Sequence, residues 1–176
     1  MDETILKTQK IYSGRVINVA VHEVRLPDGS LAKRELVQHP GAVAIVALLP
    51  RRKVLLVRQF RIAAGRILNE IPAGTLRPNE PPEQCAIREL QEETGYRPGK
   101  LETLGGFYVA PGYTTEYIHL FLATELAESH LDGDADEFIE VQSITLREGL
   151  AMIERGDIVD GKTITGLLRV ARRLNV

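Results

Sequence analysis

The chain has 176 residues, of which 44% are hydrophobic and 26% charged; this is the composition of a globular protein, and the length suits one domain with a sizeable core. Its formal net charge of −2 argues against a general nucleic-acid binder, because such proteins normally present a basic face. The sequence has no apolar run of about eighteen residues and no secretory pattern at residues 1–3, so we expect a cytoplasmic protein that makes no membrane contact.

The first forty residues are predicted to form a small β module. Short alternating segments flank Asp28-Gly29, a dipeptide typical of tight hairpin turns. Three short strands make a poor core by themselves, so we expect this module to dock on the rest of the chain or on a second subunit. The sequence His39-Pro40-Gly41 marks the boundary, which gives an N-terminal module at 1–40 and a main domain at 41–176.

The main domain begins with two predicted strands. The continuous apolar run at 42–49 is typical of a strand buried on both faces, and a second strand follows at 54–57. Arg58 and Arg61 then lie on either side of Phe60. Two arginines at a strand end suit phosphate or ribose, although a solvated strand end is the commoner explanation of such a pattern.

A helix is predicted after Pro81-Pro82. The prolines suit a first turn that needs no N–H partners, with Asn79 or Glu80 as the cap, and Gly95 is a typical end. The apolar stripe of this helix contains Cys85, Ala86 and Leu90. We therefore expect the single cysteine to be a core thiol rather than a nucleophile.

The other face of this helix is acidic. Glu89 and Glu93 lie four residues apart with Glu92 beside them, and like charges at that spacing weaken a helix. Arg88 offsets part of the repulsion through Glu92, four residues on. The remaining carboxylates suit a hard cation such as Mg²⁺, whereas a solvated acidic face is the simpler explanation for a glutamate pair taken alone.

The rest of the chain alternates between strands and helices. Strands are predicted at 101–109, 117–123 and 138–144, and helices at 146–154 and 163–174. An acidic stretch at 132–137 precedes the last strand. The mixture predicts an α/β (α+β) sandwich.

The spacing of glycines and charges from residue 74 to 96 resembles the Nudix box, G-x5-E-x7-R-E-U-x-E-E-x-G-U, where U is aliphatic. Every position matches except the last, where Tyr96 replaces the aliphatic residue. The matching residues are Gly74, Glu80, Arg88, Glu89, Leu90, Glu92, Glu93 and Gly95. The resemblance implies a Nudix hydrolase, which cleaves nucleoside diphosphates linked to another group. It also implies a Nudix α/β/α sandwich with a mixed sheet behind a small antiparallel β module.

Further features resemble the ADP-ribose pyrophosphatases within that family. These are the segment 70–74 (Glu-Ile-Pro-Ala-Gly), Pro111 sixteen residues beyond Gly95, the loop 110–116 and the N-terminal β module. The resemblance implies hydrolysis of ADP-ribose to AMP and ribose 5-phosphate with Mg²⁺, or with Mn²⁺ in its place. It also implies a homodimer in which the N-terminal modules exchange between subunits.

The family's functional residues fall on named positions of this chain. The implied metal ligands are Glu89, Glu92, Glu93, the carbonyl of Ala73, and Glu137 from the acidic stretch. The implied catalytic residues are Glu92 and Arg88, with Glu80 supporting Arg88, and Glu137 as ligand or general base. The implied substrate contacts are Arg58, Arg61, Glu70, Pro111 and Glu116.

Three alternatives remain open at the level of sequence. The first is a pyrophosphatase for another nucleotide sugar, such as GDP-mannose or a UDP-sugar, since the box is indifferent to the leaving group. The second is a non-catalytic domain that senses ADP-ribose, although such sensors usually lose box carboxylates and carry a DNA-binding appendage, and no helix-turn-helix pattern is left over here. The third, removal of oxidised nucleoside triphosphates, fits poorly because those chains usually lack the N-terminal module.

Overall fold

The computed structural model describes residues 1–133 and 138–176. These residues divide into two compact units, one made of Met1–Gly41 with Tyr108–Tyr117 and the other of Ala42–Phe107 with Ile118–Val176. The sequence prediction had assigned 108–117 to the main domain. The described strands are β1 (Thr4–Ser13), β2 (Asn18–Arg25), β3 (Leu31–Gln38), β4 (Ala42–Leu49), β5 (Lys53–Arg61), β6 (Arg66–Glu70), β7 (Ala73–Thr75), β8 (Tyr96–Tyr108), β9 (Tyr117–Glu128) and β10 (Glu140–Thr145), and the helices are α1 (Pro82–Thr94), α2 (Leu146–Arg155) and α3 (Gly161–Leu174).

The first unit is an antiparallel sheet in the order β1-β2-β3. The predicted hairpin connects β2 and β3, with Gly29 at φ 87° and the Asp28 carboxylate accepting from Ser30. The loop 108–117 joins this unit through its backbone: the Val37 N–H donates to the Tyr113 carbonyl, and the Thr115 N–H donates to the Val37 carbonyl. These two bonds explain why the loop groups with the N-terminal sheet.

The second unit is a mixed sheet with helices on both faces. Its strand order is β10-β5-β4-β9-β8, with β6 paired to β5 and β7 paired to β4. Strands β4 and β9 are parallel, whereas the pairings of β4 with β5 and β7 are antiparallel. This architecture confirms the predicted α/β/α sandwich.

Each face of the sheet carries its own apolar cluster. Along β4, Ala44 and Val46 belong to the cluster covered by α2 and α3, whereas Val43 and Ile45 belong to the cluster covered by α1. Both faces of the strand are therefore buried, which is why its sequence is apolar throughout. The predicted apolar stripe of α1 is confirmed, since Cys85, Ala86 and Leu90 are fully buried.

Two features of the second unit differ from the predictions. Strands β6 and β7 were not predicted, because five and three residues on either side of Ile71-Pro72 are too short to show a period. The predicted side-chain cap of α1 is also wrong: Pro81 occupies the cap position without a side-chain bond. Glu80 is unable to cap because its carboxylate binds Arg88 and the Arg77 N–H. The predicted end at Gly95 is confirmed, with φ 74°.

No helix among the described residues is long and apolar enough to cross a membrane.

Candidate active site

Gly74 of β7 and Glu89 of α1 approach each other more closely than any other residue at position 74 would allow. A Cβ atom built on Gly74 would overlap the Glu89 carboxylate. The backbone φ of Gly74 is not positive, so close approach rather than backbone conformation requires glycine here. The carboxylate is therefore held against the backbone of β7.

Arg88 links the acidic residues of α1 to the loop that precedes the helix. Its Nε and Nη2 donate to the two oxygens of Glu80 at 2.8 and 2.9 Å. Its Nη1 donates to Glu89 at 2.6 Å and to Glu92 at 2.8 Å. All four side chains are 12–15% exposed, so these bonds are poorly screened by solvent. One guanidinium thus offsets the repulsion of the acidic face. The predicted contact of Arg88 with Glu92 is confirmed, and Arg88 also binds Glu89 and Glu80.

The pKa values follow from this network. Hydrogen bonds from Arg88 lower the pKa of Glu80 to about 2. The same bonds raise the pKa of Arg88 above its usual range. Burial raises the pKa of the Cys85 thiol to about 12, which makes it a poor nucleophile at neutral pH. The prediction of a core thiol is confirmed.

Glu93 connects α1 to β7 at a second point. Its carboxylate accepts from the Ala73 N–H at 3.1 Å, and the residue is 9% exposed. Residues 73 and 74 therefore lie next to the two glutamates, 89 and 93, that are four apart on α1. These two carboxylates and the adjoining backbone of residues 73 and 74 make up one polar group at β7.

This group fits a hard divalent cation, although it is not a complete cage. Within residues 1–133 and 138–176, no group of three or more acidic, histidine or cysteine side chains is placed to hold a metal ion. Mg²⁺ requires no such cage, since it commonly takes one or two carboxylates and completes its shell with water and substrate phosphate. The oxygen donors suit that coordination, and glycine at position 74 leaves the space in which the Glu89 carboxylate lies.

Arg61 and Glu70 form a second charged group beside the first. Nε and Nη2 of Arg61 each donate to one Glu70 oxygen at 2.8 Å, and Lys162 of α3 also binds Glu70. Burial alone would raise the pKa of Glu70, but these two cations lower it. The Glu70 bond raises the pKa of Arg61, and the charge of Glu93 adds to this effect.

The predicted substrate contact through Glu70 stays a prediction. Glu70 is fully buried, and both of its oxygens accept hydrogen bonds from protein cations. Arg61 keeps 40% of its side-chain surface exposed. The residue able to meet an anion here is therefore Arg61, with Glu70 behind it.

The other predicted substrate residues are placed differently. Arg58 pairs with Glu140 of β10 at 2.7 Å and is 39% exposed. Pro111 and Glu116 belong to the loop of the first unit, where the Glu116 carbonyl accepts from the Val109 N–H. Glu137 lies outside the described residues. Gly133, the last described residue before it, lies beside the backbone of Glu92.

Sequence reasoning did not find the residues of α3 that reach this site. Lys162 binds Glu70, and the Thr163 hydroxyl accepts from the Ile71 N–H at 2.9 Å. Asp160 three residues before Thr163 is a recognisable helix cap signal. No sequence pattern indicated the contact with residues 70–71, which are about ninety positions away.

Comparison with known proteins gives two family matches. The model of the NUDIX domain matches residues 38–165, and the model of the nucleoside diphosphate sugar hydrolase N-terminal domain matches residues 3–37. The first match covers more than half of the chain.

Curated relatives are similar over most of the chain. An ADP-ribose pyrophosphatase of Bacillus subtilis is 44% identical over 93% of this chain and 89% of its own. A methanol dehydrogenase activator of Bacillus methanolicus is 42% identical with the same coverage. A GDP-mannose pyrophosphatase of Citrobacter koseri is 41% identical over 75% of this chain and 74% of its own. A solved structure described as an ADP compounds hydrolase has a TM-score of 0.88 at 22% identity, covering 99% of this chain and 95% of that one, which shows a shared fold.

The close approach at Gly74 predicts a specific effect of Gly74→Ala. Because the clashing atoms are the flexible end of Glu89, we expect the carboxylate to move while the fold is kept, with metal-dependent turnover falling about 100-fold. Steady-state kinetics, Mn²⁺ affinity and a thermal melt measure the three quantities. Gly161→Ala is the control, because a Cβ there meets open space. Unchanged turnover and Mn²⁺ affinity in Gly74→Ala would contradict this prediction.

The lowered pKa of Glu80 predicts how Glu80→Gln changes stability with pH. The ion pair with Arg88 contributes fully above pH 4.5, the ordinary glutamate value, and is lost as the pH falls towards 2. We expect the variant to be less stable by roughly 1–3 kcal/mol at pH 7, and the difference from the parent to shrink below pH 4.5. Urea unfolding at pH 7, 4 and 3 tests this, with exposed Glu83→Gln as the control. A difference that stays constant over this range would rule the account out.

Proposed function

The chain belongs to the Nudix family, and from that membership we propose that it hydrolyses ADP-ribose to AMP and ribose 5-phosphate. The observation that carries the reaction class is the set of oxygen atoms at the end of β7, where Glu89 is pressed against Gly74 and Glu93 binds Ala73. The substrate is supported by the ADP-ribose pyrophosphatase of Bacillus subtilis, which resembles the chain through both of its matched regions.

Nudix hydrolases generally use divalent metals, and we propose Mg²⁺ as the natural ion here, with Mn²⁺ able to replace it. Glu89, Glu93 and the Ala73 carbonyl would hold it, with Glu92 close by. The ion would neutralise the diphosphate and make a water molecule more acidic for in-line attack. The choice of Mg²⁺ rests on the hard oxygen donors of this group.

The residues around this group divide the remaining tasks. Arg88 keeps Glu89 and Glu92 in place, because it binds both through one nitrogen. Arg61, partly exposed beside Glu93, is proposed to bind the diphosphate. Water adds its oxygen to one phosphorus, the P–O–P bond breaks, and the bridging oxygen leaves with the other phosphate. These groups act by orientation and charge rather than by covalent chemistry.

The general base and the nucleotide contacts remain proposals from the family resemblance. We propose Glu137 as ligand or base. We likewise propose that Pro111 and Glu116 contribute to recognition of the nucleotide. Arg58, paired with Glu140, is a weaker candidate for phosphate than Arg61. A cytoplasmic location is also retained as a prediction.

GDP-mannose is the second candidate substrate. A specific observation favours it: GDP-mannose pyrophosphatases from several bacteria are 38–41% identical to the chain over 70–75% of its length. The carboxylate group is indifferent to the sugar and base, so the two substrates share one mechanism. The ADP-ribose proposal is preferred because its relative covers more of the chain.

A substrate panel tests the proposed function. We expect Mg²⁺-dependent release of AMP and ribose 5-phosphate from ADP-ribose, in preference to GDP-mannose, a UDP-sugar, NADH and a nucleoside triphosphate, and no turnover in EDTA. Glu93→Gln should lower turnover by orders of magnitude without unfolding the chain, whereas exposed Glu83→Gln on the same helix should not. A preference for GDP-mannose would keep the mechanism and change the substrate. Tight ADP-ribose binding without turnover would instead indicate a sensor.

We also propose that the N-terminal module forms a homodimer, by exchange between subunits. Strand β1 is exposed along its whole length and is an edge of its sheet, with Ile5, Ile11 and Tyr12 more than half exposed. Such an edge normally pairs or is covered. Light scattering should give about twice the 19.5 kDa of one chain, and a mass of one chain at tens of micromolar would contradict the dimer.

A further inference from the structure

The buried carboxylate of Glu70 has two cationic partners where one would suffice. Arg61 alone satisfies both oxygens of Glu70 through a two-pronged bond, with each N–O distance at 2.8 Å. Lys162 binds Glu70 as well and is only 13% exposed. Placing the Lys162 ammonium group here as a second cation costs desolvation, which calls for a benefit beyond pairing Glu70.

The first turn of α3 ties Lys162 to the segment that leads into the site. Lys162 also pairs with Asp160 at 3.0 Å, and Asp160 caps the helix by accepting from the Thr163 N–H and hydroxyl. The Thr163 hydroxyl in turn accepts from the Ile71 N–H. The helix start therefore holds the side chain of residue 70 and the backbone of residue 71, two positions before Ala73.

The orientation of Arg61 follows from this arrangement. Arg61 binds both oxygens of Glu70 through Nε and Nη2, so Glu70 sets the direction of the guanidinium, while 40% of the Arg61 side-chain surface stays exposed. Two negative groups, Glu93 and Asp160, are close enough for their charges to act on Arg61. Asp160 balances Lys162, so the four charges of Arg61, Glu70, Lys162 and Asp160 sum to zero.

We propose that Lys162 is a positioning residue for the reaction: it fixes Glu70, which in turn orients the guanidinium of Arg61 for the diphosphate. This inference rests on the proposed function, since it assigns Arg61 to the diphosphate of a nucleotide substrate. Lys162 itself does not touch the substrate. Its removal frees the Glu70 carboxylate to rotate, leaves a net negative charge behind Arg61, and weakens binding of an anion.

The main test is Lys162→Met, which keeps the aliphatic stem and removes the charge. We expect KM for ADP-ribose to rise about tenfold while kcat changes less than about threefold, because the lost interaction acts on binding. Lys162→Arg should restore KM. Arg172→Met, at an exposed position of the same helix, is the matched control and should behave as the parent.

A double-mutant cycle with Arg61→Ala separates positioning from a merely structural role. If Lys162 acts through Arg61, Lys162→Met should have no further effect on KM once Arg61 is alanine. A structural role would give additive effects and would overturn the proposal. Should Lys162→Met fail to fold, as judged by circular dichroism, Lys162→Gln carries the same cycle because it keeps a polar end beside Glu70.

A third comparison distinguishes fixed geometry from net charge. In Asp160→Asn/Lys162→Met the local charge again sums to zero, and asparagine still caps a helix. The proposal predicts that KM stays raised, whereas recovery of the parent KM would show that charge alone matters and would overturn it.

Binding of the non-hydrolysable α,β-methylene analogue of ADP-ribose, measured by calorimetry, gives a readout that does not need turnover. The proposal predicts an increase of about tenfold in Kd for Lys162→Met. A parent-like Kd and KM in this variant, with an active parent, overturns the positioning role alone. A parent protein that neither binds the analogue nor hydrolyses ADP-ribose overturns the proposed function instead.

Discussion

The candidate site depends on one guanidinium. Arg88 binds Glu80, Glu89 and Glu92 at 2.6–2.9 Å, in surroundings where each partner is mostly shielded from solvent. Without it, Glu89 and Glu92 on the helix would repel each other, and the helix would lose its contact with Glu80 in the loop before it. The same bonds that stabilise this acidic face also fix its shape, because a planar guanidinium donates its hydrogen bonds only in fixed directions. The stability and the shape of this acidic face therefore depend on one interaction.

The segment 70–75 is held from both faces of the sheet. On one face, Lys162 and Thr163 of α3 bind residues 70 and 71; on the other face, residues 73 and 74 meet Glu93 and Glu89 of α1. A short irregular stretch between two small strands would otherwise be the least ordered part of the sheet. Anchoring from two layers fixes its backbone beside Glu89 and Glu93, and such fixed geometry suits a catalytic site because small displacements at a reacting centre have large effects on rate.

Sequence patterns predicted the elements whose burial is uniform or strictly periodic. The run 42–49 forms β4 with the predicted bounds, because both faces of that strand are covered. The apolar stripe of α1 was predicted correctly because only one face of the helix is buried. The same reasoning missed β6 and β7, since a strand of three to five residues has too few side chains to show a period. It also misplaced the cap of α1, because Glu80 has a stronger partner in Arg88 than in the helix end.

By itself, the sequence determined the reaction class, the helix that carries the carboxylates, and the glycine beside them, because these residues are close along the chain and their spacing records their contacts. Only the tertiary structure decided the contacts that join Glu70, Arg61 and Lys162. In the sequence, a glutamate next to an apolar segment looks the same whether its carboxylate faces substrate or lies buried between two cations. Which of the two holds depends on a helix about ninety residues further along, and no local pattern records that pairing.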